Sequence, residues 1–530
     1  MTRPNIILIL ADDLGFSDLG CTGSEIRTPH IDSLAENGAL MSAMYNCARC
    51  CPTRASLLTG QYPHNAGVGH MGADLGTPAY QGYLSDNAVT IAEALREAGY
   101  FTAMSGKWHV GGDYMANDIP GWRVGEPGHP TPRQRGFDRF YGIVDGVTHF
   151  FSPHYLMRDD ERIEAPDDYY FTDAITDEAL DMIDEAGERP FFLYLAHTAP
   201  HWPLHAPPED IARYEGVYAK GWDATRTARH EEMLAKDVVQ GDWPISPRDP
   251  DAPAWEDVEH QDWQAAKMAV YAAMIDRMDQ NVGRVLAHLK AKGAYDNTLI
   301  LFLSDNGGCA EFMAEDGWAQ FFPDRTNNGR KIAMGNRPDI RPGDALTYQS
   351  YDLPWANVSN TPFRLFKHWS HEGGISTPLL AQWPARFGQS VRHDPWHVCD
   401  ILPTLLDAAG AAYPGEHNGR LIRPADGESF LQALTGREAG RQQPIYFEHE
   451  GNAAIRAGDM KLVRTHASPW ELYDMANDRT ELNDLAGRGG KMEQALRRDY
   501  DAWASDTGVL DWDDAFPLLQ QAWGIKSASG

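Results

Sequence analysis

Several short segments of this sequence carry side chains suited to holding a cation and an oxyanion together. Asp12-Asp13 and Asp305-Asn306 supply hard oxygen donors of the kind that bind Ca2+ or Mg2+. Arg54, Lys107, His109 and His201 supply the charge and hydrogen-bond donors that suit a tetrahedral oxyanion. Each segment alone is ordinary. Asp12-Asp13 reads equally as a turn or cap, Asp305-Asn306-Gly307 as a turn, Lys107 as a solvated lysine, and His197, His201 and His205 as polar rim residues. The stretch from Cys50 to Gly60 (CCPTRASLLTG) is sharper. Pro52 and Thr53 can start a helix that Gly60 ends, placing Cys50 just ahead of a helix N-terminus, where negative charge is favoured. The plain alternative for Cys50 is a buried thiol.

The elements that must position these residues alternate apolar strands with amphipathic helices. Strands are expected at Asn5–Leu10, Phe101–Ser105, Phe191–Ala196 and Thr298–Ser304. Helices are expected at Pro29–Asn37, Thr90–Ala98, Thr172–Glu185 and Trp263–Ala291. Continuous apolar strands separated by helices predict an α/β fold, with a large, mostly parallel sheet between helices. In such sheets ligands bind beyond the carboxyl ends of the strands. Four strands then deliver Asp12-Asp13, Lys107 with His109, His197 with His201, and Asp305-Asn306 to one edge. Two stretches break the rhythm, near 202–263 and 309–362, and long insertions of this kind commonly make lids or binding walls. Their aromatics (Tyr214, Tyr218, Trp222, Trp243, Phe321, Phe322) would favour a flat or apolar leaving group, or else are ordinary packing. The reading is a catalytic domain over 1–434 and a smaller α+β domain over 435–530, with strands at Pro444–Glu448 and Ala453–Arg464 and a helix at Gly490–Ser505.

The 530 residues carry a net charge of −30, which excludes general binding of nucleic acid. No apolar run approaches the roughly 20 residues of a membrane span, and no basic leader with an apolar core precedes the first strand. These features predict a cytoplasmic protein rather than one exported to the periplasm by a non-Sec route. Six cysteines in a chain this long do not make a disulfide framework. A zinc site at Cys47, Cys50 and Cys51 would need a second ligand pair, and none stands out. Cys21, Cys309 and Cys399 are expected to be buried, reduced thiols.

The Cys50 segment resembles the sulfatase signature, Cys-x-Pro-x-Arg followed by Leu-Thr-Gly. The resemblance extends to Asn5–Ser17 (NIILILADDLGFS), Gly106–His109 (GKWH), Ala199–Pro207 (APHWPLHAP), Ser304–Gly307 (SDNG), Glu372–Pro378 (EGGISTP), Ile401–Gly410 (ILPTLLDAAG) and Glu471–Asp474 (ELYD). The chain is thereby identified as resembling the type I sulfatases of the alkaline phosphatase superfamily, most of all the bacterial arylsulfatases. Counted back from Pro52 and Arg54, the reactive cysteine of the pattern is Cys50, and Cys51 fills the variable position.

This resemblance implies that Cys50 is oxidised to formylglycine by a maturation enzyme and acts as its hydrate. It implies one divalent cation, Ca2+ before Mg2+ or Mn2+, held by Asp12, Asp13, Asp305, Asn306 and the modified Cys50. It implies that Arg54 and Lys107 hold the nucleophile and the sulfate charge. His109 would be the base that releases sulfate, and His201 with Lys367 would assist the leaving oxygen. Lys367 rests on a lysine preceding Glu372-Gly373-Gly374, with a surface lysine as its plain alternative. His197, His205, His368 and His371 have no family role and are expected at the rim or behind the site. His397 and Asp400 precede a helix that is structural in the family. The implied reaction is hydrolysis of a small sulfate monoester, aryl before alkyl. Phosphonate monoester or phosphodiester hydrolysis and a non-catalytic sulfate-binding role are the alternatives. Oligomeric state is not legible.

Overall fold

The computed structural model describes residues 3–112, 123–239, 243–315, 323–437 and 440–524. The main strands are β1 (Asn5–Asp12), β2 (Ala39–Tyr45), β3 (Phe101–Lys107), β4 (Arg139–Ile143), β5 (Phe191–Pro200), β6 (Thr298–Ser304) and β7 (Ser376–Gln382). They lie in the order β2-β7-β6-β1-β5-β3-β4, with short strands beyond both ends. The three most apolar runs thus sit together at the centre, β1 flanked by β5 and β6, all parallel. Only β7 among these seven is reversed, running antiparallel to β2 and β6. Period-two geometry sends Ile7, Ile9 and Ala11 to one face of the sheet and Ile6, Leu8 and Leu10 to the other.

Helices α1 (Pro29–Glu36), α4 (Phe171–Ala186) and α5 (Gln261–Ala291) pack on the first face, and α2 (Cys50–Thr59), α3 (Ile91–Glu97) and α6 (Ile401–Ala409) on the second. The start of α3 is fixed by a capping box between Thr90 and Glu93. A second sheet, β8 (Ile445–His449), β9 (Asn452–Ala457), β10 (Met460–Arg464) and β11 (Glu471–Asp474), is antiparallel and carries α7 (Gly490–Thr507) and α8 (Trp512–Ala522). The expected single strand over 453–464 is in fact the β9–β10 hairpin, turned at Gly458 with φ 58°. The two sheets meet at a buried charge cluster. Lys461 Nζ lies 2.9 Å from Glu372 Oε1 and 2.7 Å from Glu481 Oε1, and Arg479 Nε lies 3.1 Å from Glu372 Oε2.

The aromatics of the insertions are packing rather than a substrate wall. Tyr218 and Trp222 both meet Trp355 edge-on in the core, the Tyr214 hydroxyl donates to Asp276, and Trp243 packs over Arg479. All four are buried. Phe321 and Phe322 lie outside the described residues. All six cysteines are unpaired with one another, and Cys21 is only partly buried. Among the described residues no helix is long and apolar enough to cross a membrane.

Candidate active site

Sheet register brings the acidic residues together. Ala11 pairs with Ser304 and Asp12 with Pro200, so Asp12-Asp13, His201 and Asp305-Asn306 emerge side by side at the carboxyl edge. Lys107 ends β3, next to β5. Helix α2 adds Cys50 and Arg54 at i and i+4, on one face of the helix. It begins at Cys50, earlier than the expected start at Pro52. Cys50 is therefore in the first turn, and Pro52 sits where no intrahelical N–H partner is required. Gly60 closes the helix in the left-handed region.

Each carboxylate is held by a cation. Lys107 Nζ donates to Asp12 Oδ2 at 2.5 Å. Arg54 donates to Asp305 Oδ2 from Nε at 3.0 Å and Nη2 at 2.7 Å, and to the Lys107 carbonyl from Nη1 at 2.9 Å. Lys367 Nζ lies 2.9 Å from Asp13 Oδ1 and 3.3 Å from His201 Nε2. Asn306 Nδ2 donates to Asp13 Oδ1 at 2.7 Å. His201 Nδ1 faces the Trp202 carbonyl at 2.6 Å, so this nitrogen carries the proton and Nε2 the lone pair. Every one of these residues is buried. Lys367 is thus not a surface lysine.

The donor set fits a divalent cation. Asp12 Oδ1 and Asn306 Oδ1 are buried with no hydrogen-bond partner among the described residues. Buried acceptors are seldom left so, and oxygen ligands of this kind suit Ca2+ or Mg2+. Burial and the neighbouring Asp12 push Asp305 up to about 7, against the pull of Arg54. Burial alone would raise Asp12 too, but Lys107, His201, Arg54 and Lys367 together hold it below the usual carboxylate range. Burial pushes the Cys50 thiol up, with Lys107 and Lys367 opposing and Asp12 and Asp305 reinforcing. Cys50 is therefore within electrostatic reach of the whole cluster, yet it is not poised as a thiolate.

His109 stands in the left-handed region, at φ 61°, and its imidazole occupies the space a Cβ on Gly146 would take, 2.4 Å from Nε2. Its Nδ1 has no hydrogen-bond partner among the described residues. Burial, followed by Lys107, Arg54 and Lys367, holds the ring well below its ordinary pKa and so neutral. Asp13, Ala48, Leu365 and His368 are also left-handed, at 66°, 61°, 63° and 94°. Such residues concentrate where a fold holds functional groups in place. Lys367 is set by its loop, which lies against Gly373 and Gly374. A Cβ there would meet the Leu365 and Trp369 carbonyl oxygens at 2.2 and 2.0 Å.

Not every expected neighbour joins the site. His197 is fully buried inside β5, away from the charge cluster, and burial alone brings it down to about 3. His205 is buried against the Thr347 carbonyl, and His371 is buried beside Glu471. These three are not rim residues, whereas His368 is part-exposed. His397 caps the turn before α6, and Asp400 pairs with Arg441. Three residues at the mouth carried no signal of their own in the sequence. Glu311 pairs with Arg49 at 2.7 Å, approaches Lys367 to 4.0 Å and accepts from Trp202 Nε1 at 2.9 Å. Arg49 immediately precedes Cys50, and Trp202 follows His201; adjacency was the only available clue.

The sulfatase family profile matches residues 4–411, and a profile described as N-sulphoglucosamine sulphohydrolase, C-terminal, matches residues 363–499. An arylsulfatase of Klebsiella aerogenes is 35% identical over 433 residues, covering 77% of this chain and 87% of its own. An uncharacterized sulfatase of Schizosaccharomyces pombe is 30% identical over 558 residues, covering 97% and 96%. The crystal structure of Ps i-CgsB with k-i-k-neocarrahexaose superposes with a TM-score of 0.67 at 28% identity, covering 96% of this chain and 94% of the other. With the profile spanning most of the chain and relatives matching it nearly end to end, the protein belongs to the sulfatase family of the alkaline phosphatase superfamily and is a sulfuric ester hydrolase.

Proposed function

We propose that the protein hydrolyses aryl sulfates with Cys50, matured to formylglycine, as the nucleophilic residue and with calcium in the oxygen cage. The observation that carries this reading is the convergence of three acid–cation pairs, Asp12–Lys107, Asp305–Arg54 and Asp13–Lys367, around the first turn of α2. Three carboxylates and three permanent cations cancel. The unpartnered oxygens of Asp12 and Asn306, with Asp13 and Asp305, would hold the ion. A bound dication supplies two positive charges, which polarise the sulfuryl oxygens and favour an anionic ester. The aldehyde hydrate supplies an attacking oxygen that a buried, protonated thiol does not.

The chain's own residues supply the rest. Arg54 and Lys107 orient the nucleophile and take up charge on the sulfuryl oxygens. His109, neutral and with a lone pair, accepts the proton whose removal lets sulfate depart and restores the aldehyde. His201 and Lys367, 3.3 Å apart, face the leaving oxygen, and Lys367 brings positive charge to it. The Klebsiella relative is named an arylsulfatase, and its similarity supports the aryl preference.

Mass analysis of the tryptic peptide Cys50–Arg54 from active enzyme tests the nucleophile. An aldehyde at its first residue is expected, and only thiols in fully active protein would refute the covalent route. Paired assays with an aryl sulfate and an aryl phosphonate test the substrate. Faster turnover of the phosphonate would reassign the chain to ester chemistry at phosphorus.

A further inference from the structure

Outside the catalytic cluster, three imidazoles converge on one carboxylate. His70 Nε2 lies 2.7 Å from Glu450 Oε1, His449 Nε2 lies 3.5 Å from the same oxygen, and His368 Nδ1 lies 3.0 Å from Oε2. The four come from three parts of the chain: the segment following α2, the loop that carries Lys367, and the turn between β8 and β9. His70 and His449 stack with ring centroids 5.2 Å apart, and Trp512 of α8 stacks on the other neighbour, His70, at 5.4 Å.

Hydrogen bonding does not account for this arrangement. His368 is satisfied: Nδ1 faces Glu450 Oε2, and Nε2 accepts from Asn452 Nδ2 at 3.2 Å. His449 is fully buried, and neither of its nitrogens has a hydrogen-bond partner among the described residues. A neutral imidazole needs a donor at one nitrogen and an acceptor at the other, so His449 lacks both. One Glu450 carboxylate cannot satisfy it while also bonding His70 and His368 in the geometry seen.

We propose that His70, His449 and Glu450 form a second cation site, taking a transition-metal dication such as Zn2+. The ligand atoms of these three residues all lie within 4.8 Å of one another. Tetrahedral zinc with bonds of about 2.0–2.1 Å sets its donors roughly 3.3 Å apart, and the separations of 2.7 and 3.5 Å from Glu450 Oε1 bracket that spacing. Two imidazoles and one carboxylate form a recognised zinc ligand set that leaves the fourth position open. His368, donating to the second carboxylate oxygen, orients the ligand as outer partners of metal sites do. Imidazole donors select zinc, copper or nickel, whereas the oxygen cage beside Cys50 suits calcium. The two sites therefore differ in chemistry as well as in place. An ion here would clamp the Lys367 loop and the β8–β9 turn to the segment that follows α2.

The test uses chelator-stripped full-length protein, resupplied with excess calcium and then titrated with Zn2+ against a chromophoric competitor. Wild type is expected to retain one zinc more than His449→Ala or His70→Ala, and Glu450→Gln is expected to weaken uptake at least ten-fold. Zinc should raise the melting temperature of wild type only. Co2+ in place of zinc should give visible bands of low-symmetry, nitrogen-ligated cobalt, absent in His449→Ala. Equal zinc uptake by wild type and both histidine variants would overturn the proposal, as would no uptake by wild type. Should His449→Ala fail to fold, His70→Ala and Glu450→Gln decide the matter. Calcium-dependent ester hydrolysis is expected to survive in these variants, so the result is independent of the sulfatase mechanism.

Discussion

Replacing Lys461 by Met should loosen the contact between the two sheets by an amount the structure sets. Lys461 lies between Glu372 Oε1 and Glu481 Oε1, with no part of these side chains exposed. Arg479 and the Tyr45 hydroxyl hold the other Glu372 oxygen, at 3.1 and 3.0 Å. Met keeps the length and the apolar stem but leaves two buried carboxylates facing one guanidinium. Breaking a buried pair on one side costs about 3–5 kcal/mol. A second route gives a similar figure. Burial raises the Glu372 carboxyl, but Lys461, Arg479 and Arg456 more than reverse this and hold it at about 2, below its ordinary 4.5. At about 1.4 kcal/mol per pH unit, that depression corresponds to about 3 kcal/mol. The sign follows from a depressed acid: the stabilisation is complete above pH 4.5 and is lost as pH falls toward 2. Chemical denaturation at pH 7, followed by tryptophan fluorescence and by residual activity, measures the effect. Lys461→Met should lower stability by about 3–5 kcal/mol, and adding Glu481→Gln should recover part of the loss. A loss of about 1 kcal/mol or less, the worth of a surface pair, would refute the reasoning.

The cage and its bases give sharper functional tests. Arg54→Ala, Lys107→Ala and His109→Ala should each lower kcat by about 10²–10³, equivalent to about 2.7–4 kcal/mol in the barrier, and steady-state kinetics on folded variants decide this; a near-normal kcat removes that residue from the mechanism. Prolonged chelation should abolish turnover and calcium should restore it, read by activity and bound-metal analysis together. His109 is held well below its ordinary value, first by burial and then by Lys107, Arg54 and Lys367, so its base form should persist as pH falls through 6.5. The acid limb of kcat due to this residue should therefore lie well below 6.5, and a limb centred at 6.5 that disappears in His109→Gln would contradict the assignment.

Much of the site was legible because it follows from register. Runs such as NIILIL, FFLYLA and TLILFLS can only be buried strands, and whatever follows them must gather at one sheet edge. What escaped the sequence did so for local reasons. β2 (ALMSAMY) lacks β-branched residues, so its apolar run does not distinguish strand from helix. β7 contains Pro378, which argues against an interior strand; the sheet accommodates it where the pairing with β2 shifts register, between Thr377 and Leu379. The insertion aromatics misled because aromatic composition does not reveal which way a ring faces. Glu311, Arg49 and the His70–Glu450 cluster depend on contacts between distant segments, and no spacing rule encodes those.

Lys367 shows how the second sheet enters the chemistry. Every other proposed site residue lies within the first 306 positions and is placed by the central sheet or by the elements packed on it. Lys367 arrives on a loop backed by Gly373 and Gly374 and fastened in front to the antiparallel sheet. Arg364 pairs with Glu471 and lies 3.0 Å from the Tyr473 hydroxyl. His371 Nε2 is 3.4 Å from Glu471, and Ser370 Oγ donates to the Asn452 carbonyl at 3.2 Å. Glu471 is thus the hub that holds both ends of the loop while touching none of the cage. Glu471→Ala should lower kcat by about ten-fold, roughly 1.4 kcal/mol of misplaced charge at the leaving oxygen, while calcium affinity stays unchanged. Glu471→Gln, which keeps an acceptor for Arg364 and His371, should recover much of the loss. A parallel fall in calcium affinity would mean that the whole edge of the sheet had moved. An unchanged kcat would mean that Lys367 is fixed by its glycine backing and Asp13 alone, with the second sheet contributing stability and no chemistry.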